Sequence, residues 1–340
     1  MSTDPIRGEE GLIQEFLAPL AAGYPGAFGL QDDCAAFSPT PGHDLIVKTD
    51  PVAAGVHFFS DDAPEDIAWK ALAVNVSDLA AKAAIPRAYL MALSFPEAPT
   101  RDWMARFAQG LGEAQALFGM HLIGGDTDRR PGPLTISITV FGEVPAGQML
   151  RRGTAKPGDA LYMTGTLGDA TLGLRLRQDG TLADRWGLTP DAAATLLGRY
   201  LRPAPRLKLR RALRDHARAA MDISDGLAKD LARMARASGC GACVKFADLP
   251  VSEPASAALS ADSSLVPAIV TGGDDYELLI AVPRANRMAF EAAAAFAGIA
   301  VAGSPFVVTF IGEMTAGDGV QIQGLDGRNL ELATTGWDHF

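Results

Sequence analysis

Four aspartates stand at the ends of short apolar segments of the chain: Asp33, Asp50, Asp126 and Asp222. Ligands of α/β sheets tend to bind beyond the carboxyl ends of strands, so we expect these carboxylates to meet in one crevice. Carboxylate oxygens without nearby Cys or His ligands suit hard cations, and Mg²⁺ leaves several of its positions to water and phosphate oxygens. The pattern therefore predicts a magnesium site that serves a nucleotide.

A fifth aspartate, Asp78, lies within a helical pattern. Its spacing from Ile67, Ala71 and Val74 places all four residues on one helix face, so the carboxylate points along an apolar stripe. Two carboxylates about 4 Å apart repel by on the order of 4 kcal/mol at an effective dielectric constant near 20, and a divalent cation removes that repulsion. The alternative is that each aspartate only caps a helix or turn, which accounts least well for Asp78 and for the Asp-Ile-Ser-Asp-Gly cluster at 222–226.

Two glycine-containing turns, at 124–127 and 165–168, connect a strand-like segment to the next element. Backbone N–H groups in such turns can approach a phosphate. The P-loop pattern, the G-x-G-x-x-G pattern and the protein-kinase catalytic motifs do not occur in the sequence. If ATP binds, we expect a different nucleotide fold.

Composition narrows the class of protein. The chain has 340 residues, 48% of them hydrophobic, which favours two globular domains. A net charge of −10 argues against nucleic acid or an anionic membrane as the partner. No apolar run approaches the roughly 20 residues of a membrane span, and the start of the chain lacks a secretory pattern, so we expect a cytoplasmic protein.

The three cysteines suit a reducing compartment. Cys240 and Cys243 form a C-x-x-C pair, which is compatible with redox chemistry or half of a zinc site. The pair flanks Gly241 just after a helical pattern, and no second such pair or suitably spaced histidine occurs. Local turn chemistry is the simpler interpretation.

The elements that would position these residues alternate between strand and helix, which predicts an α/β class. In the first half we predict strands over 44–48, 88–95, 121–123 and 134–144, with helices over 63–84 and 100–118. The segment 145–159 is rich in Gly and Pro, and we place a domain boundary there. In the second half we predict strands over 160–164, 219–223 and 268–271, a helix after Gly168, and helices over 191–201, 225–238 and 287–297.

These motifs together resemble the thiamine-monophosphate kinase family, part of the superfamily of aminoimidazole ribonucleotide synthetase. The resemblance extends over nearly the whole chain. The matching stretches include Asp32-Asp33, Thr49-Asp50, GVHF at 55–58, KALAVNVSDLAA at 70–81, GGDT at 124–127, Arg152, KPGD at 156–159, TGTLG at 164–168, DISDG at 222–226, GGDDYEL at 272–278 and GWDHF at 336–340.

The resemblance implies a role for each matching residue. The metal ligands for several Mg²⁺ ions would be Asp33, Thr49, Asp50, Asp78, Asp126, Asp222 and Asp225. The ATP contacts would be Gly125, Asp126, Arg152 and Ser224, and the contacts to thiamine monophosphate would be His57, Asp274 and Trp337. Asp126, Asp222 and Arg152 would carry the catalysis.

The implied fold is a mixed α/β (α+β) aminoimidazole ribonucleotide synthetase-like fold with two domains. Residues 1–148 would bind ATP and Mg²⁺ and pair their sheet across a homodimer, and the α/β domain 149–340 would complete the nucleotide and substrate site. Two positions depart from the family pattern. Gln31 replaces a common glycine before Asp32-Asp33, and Asp274 replaces a common glutamate.

The predicted reaction is direct in-line transfer of the ATP γ-phosphoryl group to thiamine monophosphate, giving thiamine diphosphate. A phosphate nucleophile is already ionised near neutral pH, so positioning and charge neutralisation matter most. Two alternatives stay open: another ATP-dependent enzyme of the superfamily, such as aminoimidazole ribonucleotide synthetase, and a non-catalytic protein that binds divalent metal or nucleotide.

Overall fold

The structure is a computed structural model that describes residues 6, 8–299 and 306–338. The chain divides into two compact units, the first formed by Met1–Leu79 with Ala84–Gln148 and the second by Ala80–Ala83 with Met149–Phe340. His339 and Phe340, the end of the GWDHF motif, lie outside the described residues. No helix among the described residues is both long and apolar enough to cross a membrane.

The first unit is built on a four-stranded mixed sheet in the order β1-β4-β2-β3. Its strands are β1 His43–Ala53, β2 Ile85–Phe95, β3 His121–Arg129 and β4 Thr135–Pro145, and its helices are α1 Glu9–Leu12, α2 Pro64–Ala81 and α3 Arg101–Phe118. β2 and β3 run parallel, whereas β4 runs antiparallel to both β1 and β2. The four predicted strands thus occur in one sheet.

Helix α3 shows how local sequence defines an element. The side chain of Thr100 accepts a hydrogen bond from the Trp103 N–H at 3.2 Å, which caps the start of the helix. Gly119 ends it in the left-handed conformation, with φ of 70°. Buried residues recur at the spacing of one helix face, including Met104, Phe107 and Leu111. Helix α3 therefore buries one apolar face.

The second unit is built on a six-stranded sheet in the order β10-β7-β9-β5-β8-β6. Its strands are β5 Ala160–Thr164, β6 Ala219–Ile223, β7 Gly241–Lys245, β8 Glu277–Val282, β9 Val308–Thr315 and β10 Val320–Gln323. Its helices are α4 Asp169–Gln178, α5 Leu182–Arg185, α6 Pro190–Leu201, α7 Arg210–His216, α8 Leu227–Ser238, α9 Glu253–Ala261, α10 Val266–Thr271 and α11 Arg287–Ile299. The adjacent strands β5, β8 and β6, the last of them at the edge of the sheet, are buried along their whole length, as expected for strands covered on both faces.

One predicted strand is wrong. Residues 268–271 belong to helix α10, which contains Pro267 near its start. A short apolar run with β-branched residues has no periodicity that separates a buried strand from a buried helix turn. The proline at an N-terminal helix position was the signal that favoured the helix.

Two predicted strand ends are also wrong. Strand β1 continues past Asp50 to Ala53, and β3 continues past Asp126 to Arg129. Strand β1 lies at the edge of the sheet, where Pro51 is tolerated because one side of the strand needs no ladder hydrogen bond. Asp50 and Asp126 therefore project from the faces of the sheet rather than from the ends of its strands.

Candidate active site

The sheet of the first unit places two predicted metal ligands on opposite faces. Asp126 pairs with Ala92, which pairs with Ser137, whereas Asp50 pairs with the next residue of β4, Ile138. Successive residues of a strand point to opposite faces, so the two carboxylates lie on different sides of the sheet. The expected single crevice does not form within this unit.

The open face of this sheet lines a cavity of about 790 Å³. Asp33, Gly125 and Asp126 are among the residues that line it, together with Thr139. The hydroxyl of Thr139 donates a hydrogen bond to the Thr49 hydroxyl at 3.0 Å, which places Thr49 beside the same cavity. Three of the predicted nucleotide and metal residues thus line one cavity, and a fourth, Thr49, lies next to it.

Gly125 is required by close packing. Its φ is 157°, and a Cβ atom at this position would lie 1.8 Å from the carbonyl oxygen of Met91. No other residue fits there without moving strand β2. The glycine therefore keeps the two parallel strands together directly beside Asp126.

Gln31 causes no strain at the turn that leads to Asp32-Asp33. Its φ is −107°, a value that any residue adopts. The left-handed residues are the three before it, Phe28, Gly29 and Leu30. The departure from the family glycine is thus compatible with the backbone path to Asp33.

An acidic pair, Asp50 on β1 and Asp78 on α2, lies at the face of the sheet that packs against the helices. Lys48 Nζ lies 2.8 Å from Asp50 Oδ2 and 3.0 Å from Asp78 Oδ2. Burial opposes the charge on Lys48, but the carboxylates of Asp78 and Asp50 outweigh it and raise the pKa of the ammonium group. The sequence predicted that the Asp78 carboxylate needs a cation beside it, and in this structure that cation is the Lys48 ammonium group.

Asn75 ties this acidic pair to the sheet. Its Oδ1 accepts a hydrogen bond from the Asp50 N–H at 2.8 Å, and its Nδ2 donates to the Ala71 carbonyl oxygen at 3.0 Å. The Asn75 side chain is completely buried. Because Asn75 precedes Asp78 by three residues on α2, this contact fixes the helix and the strand at the level of the two carboxylates.

His57 lies just after β1 and is half-buried. Its Nδ1 accepts a hydrogen bond from the Ala53 N–H at 3.1 Å. This contact makes Nδ1 the acceptor and therefore orients the ring.

In the second unit, Asp230 organises the segment that contains Ser224 and Asp225. The Asp230 carboxylate is fully buried on α8 and accepts hydrogen bonds from both the Ser224 and the Asp225 N–H groups at 2.9 Å. Burial raises the pKa of Asp230, and the Asp225 N–H and the Arg233 guanidinium oppose that rise. Arg233 also lies 2.6 Å from Asp225 Oδ2.

The loop 272–276 lies directly against this segment. The Asp274 N–H donates to the Ser224 carbonyl oxygen and the Tyr276 N–H donates to the Ile223 carbonyl oxygen, both at 2.9 Å. Asp274 has φ of 71°, a left-handed conformation in which aspartate is enriched. The aspartate found here in place of the family glutamate therefore suits the backbone that it occupies.

Trp337 joins the same cluster through its backbone. Its N–H donates to the Asp225 carbonyl oxygen at 3.0 Å, and its carbonyl oxygen accepts a hydrogen bond from Lys229 Nζ. The structure thus brings together Ser224, Asp225, Asp274 and Trp337 within the second unit. Asp222 lies two residues before Ser224, near the end of β6, and is 6% exposed.

Arg152 is placed differently. It lies in a short turn at the far end of α8, where its carbonyl oxygen accepts a hydrogen bond from Ser238 Oγ at 3.2 Å. Ser224 precedes the other end of that helix, and twelve helical residues rise about 18 Å. The backbone of Arg152 is therefore not adjacent to that of Ser224.

The expectation of a phosphate site in the turn 165–168 is wrong. The N–H groups of Gly165, Leu167 and Gly168 donate to the Val307 carbonyl, the Pro250 carbonyl and the Asp275 carboxylate at 2.8 to 2.9 Å. A Cβ atom on Gly165 would lie 2.1 Å from Glu277 Oε1. These glycines pack against a buried acidic network, and the protein itself uses the amides that an anion would need.

That network is centred on Glu277, which is fully buried. Its carboxylate accepts hydrogen bonds from Arg206, Arg199 and the Thr164 hydroxyl. Asp275 is also buried, which raises its pKa well above the usual range, and it accepts hydrogen bonds from the Gly168 and Ala170 N–H groups. Both residues hold the loop that carries Asp274.

Sequence reasoning missed Lys48, Asn75, Asp230 and Glu277 as parts of the site. The sequence did contain a signal for Asp230, which is one helical turn from the apolar residues Leu227 and Met234 and therefore lies on the buried face of α8. The same pattern of an acidic residue on an apolar helix face had singled out Asp78 on α2. Asp78, one of the two partners of Lys48, and the arginines that contact Glu277 are distant in sequence, so these contacts had no local signal.

Cys240 and Cys243 are both free thiols. Cys240 is buried directly before β7, and burial together with the charge of Asp159 raises the pKa of its thiol. A raised pKa disfavours the reactive thiolate. Packing is the simpler account of this pair.

The residues present suit a magnesium ion that takes part of its coordination from phosphate and water, rather than a metal held by protein ligands alone. Within residues 6, 8–299 and 306–338, no three His, Cys, Asp or Glu side chains come together as a metal site. Mg²⁺ in phosphoryl-transfer sites usually takes one or two carboxylates and completes its shell with phosphate oxygens and water. Asp50 and Asp78 already converge on one cation, the Lys48 ammonium, so this donor set suits such an ion.

Comparison with known proteins defines the class. Residues 31–144 match the N-terminal domain and residues 156–324 the C-terminal domain of the family described as AIR synthase related protein. The chain therefore belongs to this family of two-domain α/β proteins.

Individual relatives show which members of this family the chain resembles. The chain is 42% identical over 330 residues to the thiamine-monophosphate kinase of Caulobacter vibrioides, which covers 96% of this chain and 89% of that protein. The crystal structure of thiamine-monophosphate kinase from Stenotrophomonas maltophilia matches with a TM-score of 0.77 and 38% identity, covering 88% of this chain and 91% of that one. AaThiL complexed with AMPPCP and TMP matches with a TM-score of 0.76 and 29% identity, covering 98% and 97% of the two chains. Within the family, the chain groups with the thiamine-monophosphate kinases.

Proposed function

We propose that this chain phosphorylates thiamine monophosphate with ATP, giving thiamine diphosphate and ADP. The observation that carries the proposal is 42% identity to a thiamine-monophosphate kinase along almost the whole chain. The complex of AaThiL with AMPPCP and TMP supports the same pair of substrates. The acidic and glycine residues around the cavity of the first unit suit a phosphate-rich ligand.

Magnesium ions would be held by six aspartate carboxylates and one threonine hydroxyl. The residues that would hold them are Asp33, Thr49, Asp50, Asp78, Asp126, Asp222 and Asp225. When bound, Mg²⁺ would supply the positive charge that neutralises the phosphate groups. The donor chemistry of the Asp50 and Asp78 pair supports this role.

The chain's own residues position the substrates. Gly125 and Ser224 would approach the ATP phosphates through backbone and hydroxyl groups, and Arg152 would contribute a guanidinium to ATP. His57, Asp274 and Trp337 would contact thiamine monophosphate. The acceptor phosphate is already an anion near neutral pH, so the protein needs no strong general base and acts by alignment and charge balance.

The proposed assembly is a cytoplasmic homodimer in which the open sheet faces of two first units pair. The exposure of Leu45 and Val47 on β1 supports a partner for this face. Light scattering of the purified protein tests it, with Val47→Asp as the variant expected to favour the monomer. A monomer in the unaltered protein would contradict this proposal.

Incubation with ATP, Mg²⁺ and thiamine monophosphate tests the proposed reaction. We expect ADP and thiamine diphosphate in equal amounts, with no ADP when thiamine replaces its monophosphate. ADP release that does not depend on the thiamine compound would indicate another ATP-dependent enzyme of the superfamily. Nucleotide binding without turnover would indicate a binding protein.

A further inference from the structure

Lys48 is a cation built into the proposed magnesium site. Its ammonium group lies within 3.0 Å of one carboxylate oxygen of each of Asp50 and Asp78. It comes from the same strand as Asp50, two residues earlier, so both side chains project from the same sheet face. The lysine therefore occupies the space between two carboxylates that the proposed function assigns to metal.

The backbone of Asp50 and that of Asp78 do not depend on Lys48 for their placement. Asn75 binds the backbone of Asp50 from helix α2, at 2.8 Å to the N–H and 3.4 Å to the carbonyl oxygen. Asp78 follows on the same helix, beyond the buried residues Val74 and Val76. The strand and the helix are held together by these contacts, so removal of the lysine charge leaves the backbone of both aspartates in place.

An ammonium group and a divalent cation compete for the same oxygens. Both are attracted by the pair, but a lysine carries one charge and remains attached to the chain, so it is always present at the site. A positive charge a few ångströms from Mg²⁺ also repels it. The lysine satisfies the pair in the absence of metal and weakens the pair's affinity for the first metal ion.

We propose that Lys48 is a positioning residue that competes with the divalent cation for Asp50 and Asp78, and thereby sets the metal concentration at which the site fills. This inference rests on the proposed function for the identity of the metal ligands. In the absence of metal the lysine prevents repulsion between the two carboxylates. When metal binds, the ammonium group must leave at least one of them.

The test measures Mn²⁺ binding to the full chain without nucleotide, by calorimetry and by the loss of the free-ion electron paramagnetic resonance signal. Lys48→Met removes the charge and keeps an unbranched side chain. We expect it to bind the Asp78-dependent Mn²⁺ ion about tenfold more tightly or better than the unaltered protein. Lys48→Arg keeps a cation, and we expect it to stay within about threefold of the unaltered protein.

Asp78→Asn identifies the ion concerned, because its binding should disappear in that variant. Circular dichroism shows whether each variant is folded, and Lys48→Gln replaces Lys48→Met if the latter does not fold. Unchanged or weaker Mn²⁺ binding in the charge-removed variant would overturn the proposed competition. So would identical Mn²⁺ binding by the unaltered protein and Asp78→Asn, an outcome that would also remove the metal role of Asp78.

The Mn²⁺ binding test and the turnover assay examine different proposals, so one proposal can be contradicted while the other is supported. Tighter Mn²⁺ binding in Lys48→Met without any thiamine-dependent ADP release would support the role of Lys48 and contradict the proposed reaction. Thiamine-dependent turnover with unchanged Mn²⁺ binding would do the reverse. In turnover assays, the charge-removed variant should also reach half-maximal rate at a lower Mg²⁺ concentration.

Discussion

The N–H of Trp337 donates a hydrogen bond to the carbonyl oxygen of Asp225 at 3.0 Å. Through this bond, the C-terminal segment lies against the residues that precede α8. Gly336 makes the approach feasible, since a Cβ atom there would lie 2.4 Å from the Asp225 carbonyl oxygen and 2.6 Å from Lys229 Cβ. The proposed substrate residue Trp337 and the proposed metal ligand Asp225 are thus joined by a direct backbone contact.

Gly336→Ala should displace Trp337 and raise the KM for thiamine monophosphate by roughly tenfold, equivalent to about 1.4 kcal/mol of binding. The added methyl group has no space unless the segment moves. Gly198→Ala is the matched control, because nothing lies within 4 Å of a Cβ at that exposed helix position. We expect Gly198→Ala to leave KM unchanged and to stabilise α6 slightly. Equal KM values for the two variants would contradict the role of the contact.

Asp230→Ala should loosen the segment that carries Ser224 and Asp225. It removes the acceptor for two backbone N–H groups at 2.9 Å, and each unsatisfied donor costs about 1–3 kcal/mol if it stays buried. We expect a higher KM for ATP and a lower melting temperature. Asp230→Asn keeps one acceptor oxygen and should be intermediate in both measurements. An alanine variant with an unaltered KM for ATP would argue against this positioning role.

Asp126→Asn and Asp222→Asn should each reduce kcat by about 100-fold or more while leaving the fold intact, because each removes a charge that the proposed metal ions require. Steady-state kinetics and circular dichroism measure the two effects. The exposed Asp318→Asn is the matched control and should keep full activity. Near-normal turnover in Asp126→Asn and Asp222→Asn would contradict their proposed metal role.

Glu277→Gln should destabilise the second unit strongly. It leaves Arg206 and Arg199, with side chains 5% and 17% exposed, without their shared buried carboxylate. Breaking a buried ion pair by removing one partner typically costs about 3–5 kcal/mol, and we expect the melting temperature to fall by about 10 °C. Arg185→Ala removes an exposed pair with Asp179 and should change stability by about 1 kcal/mol or less. Similar melting temperatures for the two variants would show that the Glu277 network contributes little.

Glu143 should make the first unit sensitive to acid. Burial would raise its pKa, but hydrogen bonds from the Thr40 N–H and hydroxyl, at 2.8 and 2.7 Å, and the charge of Arg87 bring the pKa below the ordinary value of 4.5. The unfolded chain then binds more protons, so this stabilisation is complete above pH 4.5 and is lost as the pH falls through the lowered pKa.

Glu143→Gln removes this dependence. Denaturant unfolding should show the variant about 1–2 kcal/mol less stable at neutral pH, with the difference shrinking as the pH falls below 4.5. The exposed Glu97→Gln is the control and should follow the unaltered protein at every pH. A constant difference between Glu143→Gln and the unaltered protein across the acid range would contradict the assignment.

Local sequence was enough to predict much of the secondary structure. The strands β5 and β6 begin and end at the predicted residues, and α3 begins after Thr100 and ends at Gly119 as its cap residues indicate. These elements have caps, glycines or uniformly apolar runs, which act within a few residues. In helix α10 the four residues 268–271 are too few to show a period, and only the preceding Pro267 favoured the helix.

The aspartates and the ordered motifs of a phosphate-transferring family were also enough to predict the kind of chemistry. The contacts that each of these groups makes became visible in the folded chain. The tertiary structure placed Asp50 and Asp126 on opposite faces of a sheet, put Lys48 between Asp50 and Asp78, and used the amides of the turn 165–168 within the protein. The physical reason is that strand register and contacts between residues far apart in the chain depend on how whole elements pack, which no local pattern encodes.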